Sequence, residues 1–138
     1  MSEKRGFQYV VMRCVPRVDR EEFVNVGVVL FCQSTDFLAA ASHVVPAKIA
    51  ALCAQADLTA IAEALQGIEA VCRGDGSIGP AGQSSLGQRF GWLAAPKSTV
   101  IQPGPIHGGL TDDPARQLTH LLSTLVHDRP NVLRRLTS

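Results

Sequence analysis

The side chains best equipped for chemistry gather between Gln88 and Asp113, a stretch that holds Arg89, Trp92, Lys97, His107 and Asp112. Arginine presents a planar fork of donors that suits phosphate or carboxylate. Tryptophan supplies a stacking face, and histidine titrates near neutral pH. An anionic or nucleotide-like ligand could be held by such parts. Arg13 joins them as the one charged residue inside the first strand-like run, since a cation on a sheet face requires a partner. Asn25 and Gly27, on the next run, complete the candidates. A plainer use of the same residues is available: Arg89 paired with an acid, Trp92 in the core, and His107 bonded to loop backbone.

Known catalytic signatures are missing. The chain has no Walker loop, no GxGxxG between a strand and a helix, no HExxH and no GxSxG. The run Gly74-Asp-Gly-Ser-Ile-Gly-Pro80 shares only its glycines with a phosphate loop, because it lacks the lysine and the preceding strand. Glu21-Glu22 and Asp112-Asp113 are paired carboxylates, but helix capping alone accounts for the second pair. Cys14, Cys32, Cys53 and Cys72 form no CxxC, and each lies in an apolar run where a free thiol behaves as a small hydrophobe. The expectation is no metal, no cofactor and structural thiols.

With 138 residues, the chain is sized for one domain, taken as 1–138, that buries its own core. A hydrophobic content of 46% against 18% charged residues excludes a disordered chain. The net charge of +1 makes nucleic acid an unlikely partner, because phosphate binding needs a clear excess of Lys and Arg. No run approaches the ~20 apolar residues of a membrane span, and the first residues lack a signal-peptide core, so a cytoplasmic location is expected.

These residues must be positioned by a mixed fold. Phe7–Val15 reads as a strand ended by Pro16. Phe23–Cys32 is the clearest strand, its even positions Val24, Val26, Val28, Leu30 and Cys32 predicted to form one core face. Gly27 in its middle signals a bulge or a close approach. Phe37–Val44 returns as a third strand, and the short connections predict an antiparallel meander. Pro46 opens a first helix, and Asp57 caps a longer one that Gly74-Asp-Gly76 stops. Ser84 or Ser85 caps a third, with Leu86, Phe90 and Leu93 inward. Ser98–Gln102 reads as a fourth strand, and Pro103–Gly109 as a shaped loop. Thr111-Asp-Asp-Pro114 opens a last helix with Leu118, Leu121, Leu122, Leu125 and Val126 on one stripe. The fold class is α+β, in the order βββααα-β-α.

Several of these segments, taken together, resemble a known family. They are Phe23-Val-Asn-Val-Gly-Val-Val-Leu-Phe31, Leu86-Gly-Gln-Arg-Phe-Gly-Trp-Leu93, Ala95-Pro-Lys-Ser-Thr-Val100 and His107-Gly-Gly-Leu-Thr-Asp-Asp113. In this order they are similar to the bacterial domain of unknown function family 3037, over roughly Gln8 to Val126. The resemblance implies a fold but no activity, and it implies an accessory role beside HipA-like kinases, whose genes often accompany the family. The expected function is therefore a small non-catalytic interaction module with a protein partner, a HipA-like kinase foremost. The alternative is a small enzyme or ligand-binding domain for an anionic molecule. A homodimer through the first strand's edge or the Leu118 stripe is a further option.

Overall fold

The structure is a computed structural model that describes residues 3–74 and 85–127. Three strands open the chain: β1 (Arg5–Cys14), β2 (Val24–Cys32) and β3 (Phe37–Ser42). Each connection contains a short 3-10 turn closed by a residue in the left-handed region, Glu21 at φ 57° and Asp36 at φ 51°. Three helices follow, α1 (Pro46–Leu52), α2 (Leu58–Arg73) and α3 (Leu86–Ala94). Then come β4 (Ile101–Pro103), β5 (His107–Thr111) and α4 (Pro114–Leu125). The α+β class and the predicted order hold, with β5 as the addition.

The caps are the ones the sequence advertises. Asp57 accepts from the Ala60 amide at 3.0 Å, and Ser85 forms a reciprocal capping box with Gln88. Asp113 accepts from the Arg116 amide at 3.1 Å, ahead of Pro114. Gly74 ends α2 at φ 74°, the left-handed region that glycine enters without penalty. The rest of the glycine-rich stretch, from Asp75 through Gln83, lies outside the described residues, and with it all but Gly74 of the segment compared above with a phosphate loop.

All pairings are antiparallel. The sheet runs β3-β2-β1, and β4 and β5 share the remaining edge of β1. Pro103–Gly109 was expected to be a shaped loop with little ladder potential, and Thr111 to open the last helix, yet β5 takes in His107 through Thr111. The open edge of β1 overrides that preference by supplying a ladder for five residues, Arg5↔Thr111 through Tyr9↔His107. A side chain at Gly109 would also meet the Phe7 ring, at 2.9 Å from an added Cβ. The fourth strand likewise starts later than expected, at Ile101 rather than Ser98.

Helices cover both faces of the sheet. On one face α1, α2 and α3 bury Val10, Met12, Cys14, Val26, Val29 and Phe31. On the other, Leu118, Leu121 and Val126 of the α4 region pack on Phe7, Val28, Leu30 and Cys32. The predicted single face of β2 is therefore corrected. Val28, Leu30 and Cys32 do share a face, but Val26 packs on the opposite one. The cause is a bulge: pairing steps from Met12↔Gly27 to Arg13↔Asn25 and leaves Val26 without a partner. Because β2 is buried on both sides, its sequence is nearly continuous in apolar residues and hides the switch.

Both surfaces suggested for a homodimer are consumed by the fold. β1 is paired along both edges, and the Leu118 stripe faces the sheet. Among the described residues no helix is long and apolar enough to cross a membrane.

Candidate functional site

Arg89 lies on the inner face of α3 and is only 8% exposed. No acid meets it among the described residues. Its Nη1 instead donates to the carbonyl oxygens of Val71 at 3.0 Å and Cys72 at 3.2 Å. These belong to the last turn of α2, where the helix dipole is negative, and the Val71 carbonyl also accepts from the Gly74 amide at 3.1 Å. Through Nη1 Arg89 thus ties the end of α2 to α3, while its Nε is buried without a hydrogen-bond partner among the described residues.

One turn further along α3, Trp92 falls off the Leu86–Phe90–Leu93 stripe and is 50% exposed. Lys97 folds back over it, with Nζ 4.6 Å from the ring centroid, and donates to the carbonyls of Trp92 and Ala95. Partial burial pulls the Lys97 pKa below its ordinary value. The pair therefore closes the C-terminus of α3 and, on its other side, walls a groove between α2 and α3 of about 410 Å³. Ala64, Gly67, Ile68 and Val71 of α2 form the facing wall, with Met12 and Ile101 of the sheet also lining it. Apart from Lys97 and Thr99 the lining is apolar. This is the size of a small-ligand pocket, about 300–1,000 Å³, and its chemistry favours an apolar occupant.

The remaining candidates stand elsewhere. His107 is exposed on β5, its ring 5.3 Å from Tyr9, which packs with the α4 face. Arg89 packs on the opposite face of the sheet, so the two do not meet. Asp112 is exposed beside the start of α4 in a separate shallow depression. Arg13 pairs with Asn25 across β1 and β2, and Asn25 donates to the Leu125 carbonyl at 3.1 Å. Gly27 was expected on the Asn25 face, but the bulge turns it to the other side, where an added Cβ would lie 3.4 Å from that of Ser42. No three His, Cys, Asp or Glu side chains converge in a metal-holding group among the described residues.

The α2 wall of the groove was not singled out by sequence reasoning. Its signal was an apolar stripe wider than one core face requires, Ala64, Ile68 and Val71 beside Ile61 and Leu65, with a glycine left mid-helix. A Cβ at Gly67 would meet nothing within 4 Å. Gly67→Ala is therefore expected to stabilise the protein by about 0.5–1 kcal/mol, read as a higher urea midpoint with unchanged slope.

The cysteines are free, and Cys14, Cys32 and Cys72 are buried. Burial pushes the Cys14 thiol up to about 11 and that of Cys72 up to about 12. Both stay protonated at neutral pH, which disfavours nucleophilic use. Unfolding returns them to the ordinary thiol value of 9.0, where the unfolded chain loses protons that the folded one keeps. Their contribution to stability is thus complete below about pH 9 and falls as pH rises through the folded values. Urea midpoints measured across that range should decline. Alkylation under native, mildly alkaline conditions should reach the half-buried Cys53 before the others.

The family model described as a protein of unknown function, DUF3037, matches residues 9–126, most of the chain and the whole of the sheet, groove and α4 scaffold apart from the outermost residues. No curated protein and no solved structure is detectably similar to it.

Proposed function

We propose that this chain, which belongs to the DUF3037 family, is a cytoplasmic, non-catalytic docking module that takes an apolar segment of a protein partner into the groove between α2 and α3. The observation that carries this reading is the groove itself: about 410 Å³, apolar on both walls, with a half-exposed tryptophan at its rim. Aromatic anchors beside an apolar cleft are the usual centre of a protein interface. The Arg89 Nη1 and the Lys97 Nζ, which could have served an anionic ligand, donate to helix-end carbonyls. Neither His107 nor Asp112 lies near them, which weighs against the alternative of an anion-processing site built from this set.

The first partner to test is a HipA-like kinase encoded in the same genome, which the family resemblance brings forward. Gly67→Glu places a charged side chain in the groove at a position with free space, on a residue favourable to helix. Purified kinase should bind the wild-type chain in a calorimetric titration and bind Gly67→Glu at least about tenfold more weakly, a loss of about 1.4 kcal/mol. Equal affinity for both chains would remove the groove from the account.

A further inference from the structure

A second concavity, separate from the groove and on the other side of the sheet, holds two charges that have no ion-pair partner among the described residues. Arg13 sits on β1 between Asn25 of β2 and Gln102 of β4. Its guanidinium lies over the Phe23 ring, with Cζ 4.2 Å from the centroid, and against Gly104, where an added Cβ would be 3.1 Å from Cζ and Nε. These contacts fix its position but offer it no acceptor. The Nε is buried without a hydrogen-bond partner, and no carboxylate pairs with Arg13 among the described residues. The neighbouring amides are committed as donors: Asn25 to the Leu125 carbonyl and Gln102 to that of Thr99.

Arg13 lines a cleft of about 230 Å³ together with Val15, Val18, Glu21, Phe23 and Gln102. In the turn that forms its wall the other charges pair locally, Arg17 with Asp19 and Arg20 with Glu22. Glu21, exposed at the left-handed position that closes the turn (φ 57°), is left without an ion-pair partner among the described residues. The cleft therefore presents one unpaired cation and one unpaired carboxylate that do not bridge to each other, with apolar Val15, Val18 and Phe23 between and around them. Its volume lies below the range of about 300–1,000 Å³ that suits a drug-sized molecule.

From this geometry we infer that the Arg13 cleft binds a small zwitterion, an α-amino acid with an apolar side chain. The ligand carboxylate takes the free edge of the Arg13 guanidinium, its ammonium group faces Glu21, and its side chain covers Val15, Val18 and Phe23. An arginine fork held flat by an aromatic ring is preorganised for a carboxylate, and the leftover glutamate selects for a positive group on the same ligand.

The test is an NMR titration of the full chain with L-valine, N-acetyl-L-valine and L-valinamide, following the Arg13 Nε–H and Gly104 amide resonances. L-valine should give saturable shifts. Each blocked analogue, lacking one of the two charges, should bind about tenfold or more weakly. Arg13→Gln should abolish the response, and Glu21→Gln should reduce L-valine to the affinity of the N-acetyl analogue. Gly104→Ala keeps the charge but crowds the guanidinium, so it should weaken binding even if Arg13→Gln fails to fold. No saturable response to L-valine overturns the inference. Equal binding of L-valinamide does so as well, since the Arg13 contact would then be idle. Equal binding of N-acetyl-L-valine removes the role of Glu21, pointing to the terminal carboxylate of a peptide instead and overturning the zwitterion assignment.

Discussion

Arg89→Ala is expected to destabilise the protein by about 3 kcal/mol, the largest loss anticipated for a residue outside the apolar core. The Arg89 Nη1 donates to two carbonyls at the end of α2, that of Cys72 and that of Val71, the second of which also accepts from the Gly74 amide at 3.1 Å. Truncation removes two charge-assisted bonds; the Val71 carbonyl keeps the Gly74 amide, whereas that of Cys72, a residue only 6% exposed, loses its side-chain donor. It also opens space where α3 meets α2, because Arg89 itself is buried. Arg89→Lys retains the positive charge near the dipole but not the planar head, so it should recover part of the loss. Urea denaturation gives the magnitude, and hydrogen exchange gives the location: protection should fall first in the last turn of α2. Unchanged stability in Arg89→Ala would mean that the α2–α3 tie is not structural and would return Arg89 to the pool of ligand-binding residues.

Gly27→Val is expected to cost about 2–3 kcal/mol, despite replacing glycine with a strong strand former. An added Cβ would approach the Ala41 carbonyl oxygen to 2.9 Å and the Ser42 Cβ to 3.4 Å. The first of these is backbone and cannot swing aside, so β2 and β3 must separate at the bulge. Gly6→Val, where an added Cβ meets nothing within 4 Å, is the control and should be close to neutral. A Gly27→Val chain as stable as wild type would show that the close approach is not a constraint on the sheet.

The boundaries of this fold were legible wherever local chemistry decides them. Asp57, Ser85 with Gln88, Asp113-Pro114 and Gly74 each carry the residue type their cap demands. The Leu118 stripe was readable for the same reason, since its period is that of a helix with one buried face. What failed was decided at a distance. Gly27 marked the bulge and the close approach that the structure shows, but not that Val26 would switch faces, because an apolar residue suits either side of a strand buried on both. β5 exists because β1 has an edge to pair, which a glycine-rich run cannot announce.

The candidate site was readable in part for a related reason. Sequence displays Arg89 as a cation but has no code for the carbonyls that receive it. It puts His107 and Arg89 in one stretch of chain without saying whether they meet, and the sheet places them on opposite faces. Trp92 was open to reading as a stacking face or as core, and its position off the α3 stripe leaves it half-exposed. Its facing wall on α2 was concealed as surplus core, since an apolar residue lining a groove and one lining the interior are the same letter.

The central claim is that a partner enters the groove beside Trp92, and the chain offers a direct reporter because it contains one tryptophan. Labelled with fluorotryptophan, it gives a single fluorine resonance from the rim of the groove. Titration with the unlabelled HipA-like kinase should move or broaden that resonance to a stoichiometric end point, and Gly67→Glu should leave it in place. A Trp92 resonance that is unmoved at excess kinase would contradict the account.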